Sequence, residues 1–245
     1  VCSFLVELTV DRLRQTAEIF FLSVGIQLFS YLLGLFVYRS CTLEHQPVMQ
    51  YATVCSNSGI LGTPIAEGIF GADGTLLAAV FLIPLRVVMW TLGLSFFARK
   101  SGKFSLKKVL THPCIGLMLL RVPLPALVTE SLKAIGVCNT ALSMILVGSI
   151  VADMNMDLLH HRDTLYFSAV RLVLLPLAVL LVCNLLKVEV LVRNVSVILT
   201  AMPAGATTSI LALKYGDDAA FASACTALTT VLSLIAAPIW CMVLL

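Results

Sequence analysis

Charge is what this sequence has least of. Lysine, arginine, aspartate and glutamate make up 12% of its 245 residues, about half the share of a soluble domain. Most of the surface must therefore face something other than water. A nucleic-acid reader needs a basic, aromatic-rich face, and none is present. Catalytic signatures are missing as well: there is no H-E-x-x-H, no G-x-S-x-G and no phosphate-cradling glycine loop. The YGDD run at 215–218 superficially resembles an intramembrane aspartyl protease. That chemistry needs a second membrane aspartate facing the first, and no apolar run supplies one. Eight cysteines occur, but no C-x-x-C pair; most sit in apolar segments, where cysteine packs as a small hydrophobe. Neither a disulfide framework nor a zinc site is indicated, and no cofactor is implied. No basic, apolar and cleavage regions in series mark a signal peptide, and Val1 reads as an interior point of a longer protein.

What remains is hydrocarbon. The chain is 60% hydrophobic with a mean hydropathy of +1.03, and charge-free runs cover 19–38, 46–66, 134–152, 194–213 and 219–245. Each is close to the ~20 residues a helix needs to cross ~30 Å of hydrocarbon. A soluble protein would not bury so many helices that are apolar all round. The pattern predicts an all-α integral membrane protein with spans near 17–38, 47–70, 74–98, 108–126, 131–152, 163–186, 191–214 and 218–244. Connections are short, so 1–245 reads as a single transmembrane domain. The fourth span is the shortest, because only twelve residues separate Lys108 from Arg121, among Pro113, Pro123 and Pro125. Arg99, Lys100, Lys103, Lys107 and Lys108 form the largest cationic cluster. By the positive-inside rule that loop is cytoplasmic and both chain ends lie outside, against the weight of Arg12, Arg14, Arg121, Lys133, Lys187 and Arg193.

Two spans are interrupted: CSNSGILGTP (Cys55 to Pro64) and MPAGATTS (Met202 to Ser209). Inside hydrocarbon a freed backbone group finds no water, so an interruption is tolerated only where protein or a watery cavity surrounds it. Paired broken spans in corresponding halves point to a transporter's binding site. Each break creates a helix N-terminus carrying about half a positive charge, suited to a carboxylate. Asn57, Ser58, Gly59 and Pro64 are the candidates in the first break; Pro203, Thr207 and Thr208 are those in the second. A close-packed small-residue interface, or a plain proline kink, is the competing account of either segment.

A faint repeat supports the two halves. Phe70-Gly71-Ala72-Asp73 follows the first broken span and Tyr215-Gly216-Asp217-Asp218 the second, each leading into a long apolar helix with a tryptophan, Trp90 or Trp240. Aromatic-Gly-x-Asp suits a helix C-cap followed by an aspartate near the next helix start. Arg86, in mid-span, should face the protein interior and attract an anion or pair with Glu67. Arg171 is a similar but weaker candidate, because it lies nearer its loop. Glu67 reads as a group at the membrane boundary. Asp153, Asp157, His160, His161 and Asp163 read as solvated loop charge rather than metal ligands.

NSGILGTP, FGADG, VVMWTLG, HPCIG, ALSMILVGS, RLVLLPL, TAMPAGATTSILALKYGDD and TTVLSLIAAPIW occur in that order. Together they resemble the auxin efflux carrier family of membrane permeases, whose bacterial members are similar to malate or malonate permeases. The resemblance implies ten helices in two inverted five-helix repeats, the fourth helix of each broken and crossing its partner. The present spans would be helices three to ten, with 1–98 the remainder of the first repeat and 108–245 the second. Asn57 to Pro64 and Pro203 to Thr208 would flank the crossover; some members carry Asn where this chain has Thr207. The expectation is a multi-pass carrier of the bacterial inner membrane. It would move a small organic anion (malate, malonate or an auxin-like acid) by alternating access, with Arg86 among the residues that meet it. Neither break contains a carboxylate, which disfavours a proton antiporter built on a buried acidic pair. Proton coupling, sodium coupling, uniport and a homodimer all stay open. The alternatives are a sodium-coupled bile-acid-type symporter and a membrane scaffold that transports nothing.

Overall fold

The computed structural model describes residues 10–98 and 156–244, with 131, 145 and 149 as isolated helical positions. The expected spans at 108–126 and 131–152 thus lie outside the described residues, as does Asp153. The first part comprises α1 (Val10–Val37), α2 (Gln46–Val54), α3 (Thr63–Val88) and α4 (Leu94–Ala98). The second comprises α5 (Met156–Leu159), α6 (Arg162–Ala169), α7 (Leu175–Leu185), α8 (Val190–Thr200), α9 (Thr207–Tyr215) and α10 (Ala219–Leu244). The architecture is all-α, as composition required. Among the described residues, four segments are long and apolar enough to cross a membrane: Asp11–Ser40, Ser58–Phe97, Arg162–Leu185 and Ala219–Leu244. Their outer faces carry large apolar side chains in the open, among them Phe21, Leu181, Leu234 and Met242. Exposure on that scale belongs to a protein solvated by lipid.

Glycine sets the turns. Gly71 adopts φ 62° and ψ −143° inside α3, a region that essentially only glycine reaches. The chain reverses there: a Cβ placed on Gly74 would lie 2.3 Å from the carbonyl oxygen of Ala66. Residues 63–70 and 72–88 are therefore two arms of a tight hairpin, in keeping with separate spans at 47–70 and 74–98. The second copy of the motif behaves alike. Gly216 caps α9 in the left-handed region at φ 73°, and Asp218 Oδ1 accepts from the Phe221 N–H at 2.8 Å, an N-cap for α10. Asp73 departs from the expectation, since it meets Arg12 at 3.0 Å instead.

Among the described residues, buried apolar side chains fall into two clusters. One gathers Ile19, Leu77, Phe81, Ile198, Leu199 and Met202 from α1, α3 and the end of α8. The other gathers Tyr38, Met49, Tyr51, Cys55, Ala204 and Phe221 from the turn after α1, α2 and its end, the break before α9, and α10. The first broken span runs from the second cluster into the first, and the other broken span runs the opposite way. Their polar interruptions consequently meet between two oily layers.

One loop expectation needs correcting. Asp163 is buried rather than solvated. Its Oδ2 lies 2.9 Å from His45 Nδ1 and accepts from the Thr42 N–H at 3.2 Å. His45 Nε2 faces Asp218 Oδ2 at 3.7 Å, and its ring stacks on Phe221 with centroids 3.7 Å apart. Burial of a carboxylate is tolerable here because hydrogen bonds and an imidazole surround it. The contacts join the starts of α2, α6 and α10.

Proline governs the sixth span. Pro176 has no N–H to give the carbonyl four residues back, that of Leu172, and the helix answers with a π-turn at Val170–Leu174. The Trp240 indole donates to the Leu172 carbonyl at 2.9 Å, so α10 satisfies a group that α7 cannot. Trp240→Phe keeps an aromatic ring, smaller than the indole, and removes that donor. It is expected to cost about 1–3 kcal/mol, seen as a lower unfolding temperature in detergent. An unchanged temperature would mean the carbonyl finds another donor.

Candidate functional site

The two interruptions touch through their main chains. Ser56 and Ala204 form an antiparallel bridge: the Asn57 N–H donates to the Pro203 carbonyl at 2.8 Å, and the Gly205 N–H donates to the Cys55 carbonyl at 2.9 Å. Backbone groups that each helix loses at its break are thereby returned by the other. In hydrocarbon an unpaired group costs several kcal/mol, so this exchange is what lets both helices stop in mid-span. Side chains extend the seam. Ser58 Oγ donates to the Leu199 carbonyl and pairs with Ser56 Oγ. Cys55 Sγ and Thr207 Oγ1 lie 3.0 Å apart, and the Ala204 N–H reaches Thr229 Oγ1 on α10 at 3.3 Å. Close approach demands glycine at Gly62, where a Cβ would sit 2.8 Å from Leu199 Cδ2 and 2.9 Å from Met202 Cγ.

Arg171 sits at the centre of this crossing. Its guanidinium is buried to 2% exposure. Nη1 donates to the Thr53 carbonyl at 2.8 Å and Nε to the Met202 carbonyl at 3.2 Å. Those carbonyls terminate α2 and follow the end of α8, where each half-helix carries about half a negative charge. One guanidinium thus meets two negative ends of roughly its own charge in sum. A burial that would otherwise cost several kcal/mol is compensated locally. Beside it lies a cavity of about 10 Å³ bordered by Gln27, Ser30, Ser56 and Thr200, room for about one water molecule. Gln27 Oε1 is buried there without a hydrogen-bond partner.

The opposite, N-terminal ends of the half-helices carry unspent polar groups. Asn57 is 4% exposed and Thr208 wholly buried, yet Asn57 Nδ2, Thr208 Oγ1 and Ser209 Oγ have no partner. Buried polar groups of this kind are uncommon and call for an explanation. Gly59 is exposed, and a Cβ on it would lie 3.8 Å from Arg86 Nη2. A second cation therefore stands at the start of the helix that leaves the first break. Arg86 is itself exposed, so it faces outward near the break and not into packed protein as its mid-span position suggested.

Of the residues singled out in the sequence, Asn57, Ser58, Pro203 and Thr207 are gathered at the crossing, with Gly59 and Arg86 alongside. Thr208 is buried in the first turn of α9, and Pro64 is exposed and stands apart. Glu67 is likewise exposed. Sequence reasoning undervalued Arg171 by measuring its distance to the loop. The better signal was its place five residues before Pro176, where a π-turn swings it inward. Gln27 carried no signal, being one amide in an apolar run. A larger cavity, about 510 Å³, opens between α1 and α7 among Phe21, Leu22, Phe29 and Val182. Its wall is nearly all apolar and includes no residue of either break, which suits lipid chains and not a polar solute.

The family described as "Membrane transport protein" matches the chain over residues 2–113 and 106–241. An uncharacterized transporter from Methanothermobacter thermautotrophicus is 29% identical over 203 residues. That alignment takes in 79% of this chain and 66% of the relative, so the chain spans just under two thirds of the length of the protein it matches.

Proposed function

From a chain that belongs to the auxin efflux carrier family of membrane transport proteins, we propose a multi-pass carrier of the cell membrane. It moves a small organic anion, a carboxylate of the malate, malonate or auxin-like kind, by alternating access and performs no chemistry on it. One observation carries this reading: the half-helix N-termini at the crossing hold buried donors with no partner, Asn57 Nδ2 foremost. A carboxylate placed there gains the amide N–H groups, the Thr207 and Thr208 hydroxyls and the positive end of each half-helix. Arg86, beside Gly59, raises the local concentration of anions before they enter. Alternating access follows if the joined broken helices, with the sixth span that Arg171 ties to them, shift against the rest of the bundle. In this reading the lipid bilayer is the second partner.

The test is flux. Full-length protein in liposomes, given an imposed gradient of labelled mono- and dicarboxylates, is expected to equilibrate at least one of them faster than empty liposomes. No flux for any carboxylate, from protein shown to be folded and inserted, would overturn the proposal.

A further inference from the structure

The cation already present at the crossing has a consequence for what the site accepts. Carbonyl ends of half-helices are where membrane carriers hold sodium or protons. Here the two carbonyls that such an ion would use, Thr53 and Met202, are both taken by Arg171 at 2.8 and 3.2 Å. We infer that Arg171 is a built-in cation that sets the sign of charge this carrier accepts. It cancels the negative ends of α2 and α8, so that only the positive ends of α3 and α9 remain to act on a solute. Without the guanidinium, the two carbonyl ends, about one negative charge in sum, stand open and offset the positive ends of α3 and α9; the layer loses its net positive charge and its preference for an anion, and a small cation can take the place of the guanidinium. Arg171 touches no solute in this account; it is a positioning residue acting through the half-helix ends. The neighbouring cavity, with Gln27 Oε1 lacking a partner, gives an incoming small cation one more oxygen once the guanidinium is gone. Lysine keeps the charge but not the fork, and a single ammonium reaches one carbonyl better than two.

The inference rests on the carrier reading above, and its experiment separates the two. Full-length unsubstituted protein, Arg171→Lys, Arg171→Met and Arg171→Ala are reconstituted for carboxylate flux. In parallel they are melted in detergent with choline, sodium or millimolar guanidinium as the only small cation. Unsubstituted protein is expected to melt at the same temperature in all three salts. Arg171→Ala is expected to melt lower in choline and to recover in guanidinium and, in part, in sodium. Carboxylate flux is expected to fall by about a hundredfold or more in Arg171→Ala and Arg171→Met, and to survive in reduced measure in Arg171→Lys. Equal flux in the methionine and lysine variants would overturn the inference, as would an Arg171→Ala melt indifferent to every cation. Should the alanine variant fail to fold, the methionine–lysine comparison decides. Should unsubstituted protein carry no carboxylate, the carrier reading falls, and the cation dependence of melting still decides the role of Arg171.

Discussion

Asn57→Asp is expected to abolish carboxylate uptake while leaving the protein folded. The substitution changes almost nothing in shape, and the Asn57 main-chain N–H keeps its bond to Pro203 at 2.8 Å. What it changes is charge: a donor that lacks a partner becomes an anion at the place proposed for the solute. Two like charges about 4 Å apart at an effective dielectric near 20 repel by about 4 kcal/mol, which corresponds to roughly a thousandfold in occupancy. The sign can be checked with pH. Protonation removes the charge of a carboxyl whatever groups surround it. Uptake by the variant should therefore return as the medium is acidified and the introduced group becomes neutral. Initial rates in liposomes across a pH series, with unfolding temperature as the folding control, give the measurement. Rates close to those of the unsubstituted protein at neutral pH would remove Asn57 from the solute's surroundings.

Gly74→Ala carries the largest expected structural effect. Its new carbon would stand 2.3 Å from the Ala66 carbonyl oxygen and 2.8 Å from Phe70 Cβ. The nearer obstacle is backbone, which has no rotamer to yield. Overpacking of ordinary cores costs about 1–3 kcal/mol, and relief here requires opening the hairpin at Gly71, so the loss should exceed that range. The variant is expected to yield little monodisperse protein and to melt far below the parent. Gly68→Ala is the control in the opposite arm. Nothing lies within 4 Å of its Cβ position, so the change should stabilise by about 0.4–1 kcal/mol through helix propensity and chain entropy. A Gly74 variant that melts like the Gly68 one would show that the hairpin is looser than its geometry.

Much of this arrangement was legible before any coordinates. Hydropathy alone separates lipid-crossing segments from the rest, because the bilayer imposes one length on all of them. The two breaks were visible because glycine, proline and hydroxyl residues are so poorly suited to an apolar helix. The Gly71 and Gly216 turns were visible because few conformations tolerate an aromatic-Gly-x-Asp sequence. The partners across the crossing were not readable. Asn57 meets Pro203, and Arg171 meets Thr53 and Met202, through main-chain carbonyls that every residue possesses and no sequence pattern marks. The role of Asp163 was hidden for a related reason. A loop carboxylate looks solvated until a histidine 118 positions earlier is folded onto it. Arg86 was misjudged in the other direction, since a mid-span position says nothing about which side of the helix a charge takes.

The reciprocal bonds between Asn57 and Pro203, and between Gly205 and Cys55, work as a rivet. Prising the two broken helices apart would strip both bonds in a medium with no water to replace them. In the carrier proposed above, such a fastening disfavours gating by opening one broken helix and then its mate. The motion expected to uncover its centre carries all four half-helices together as a single rigid plug.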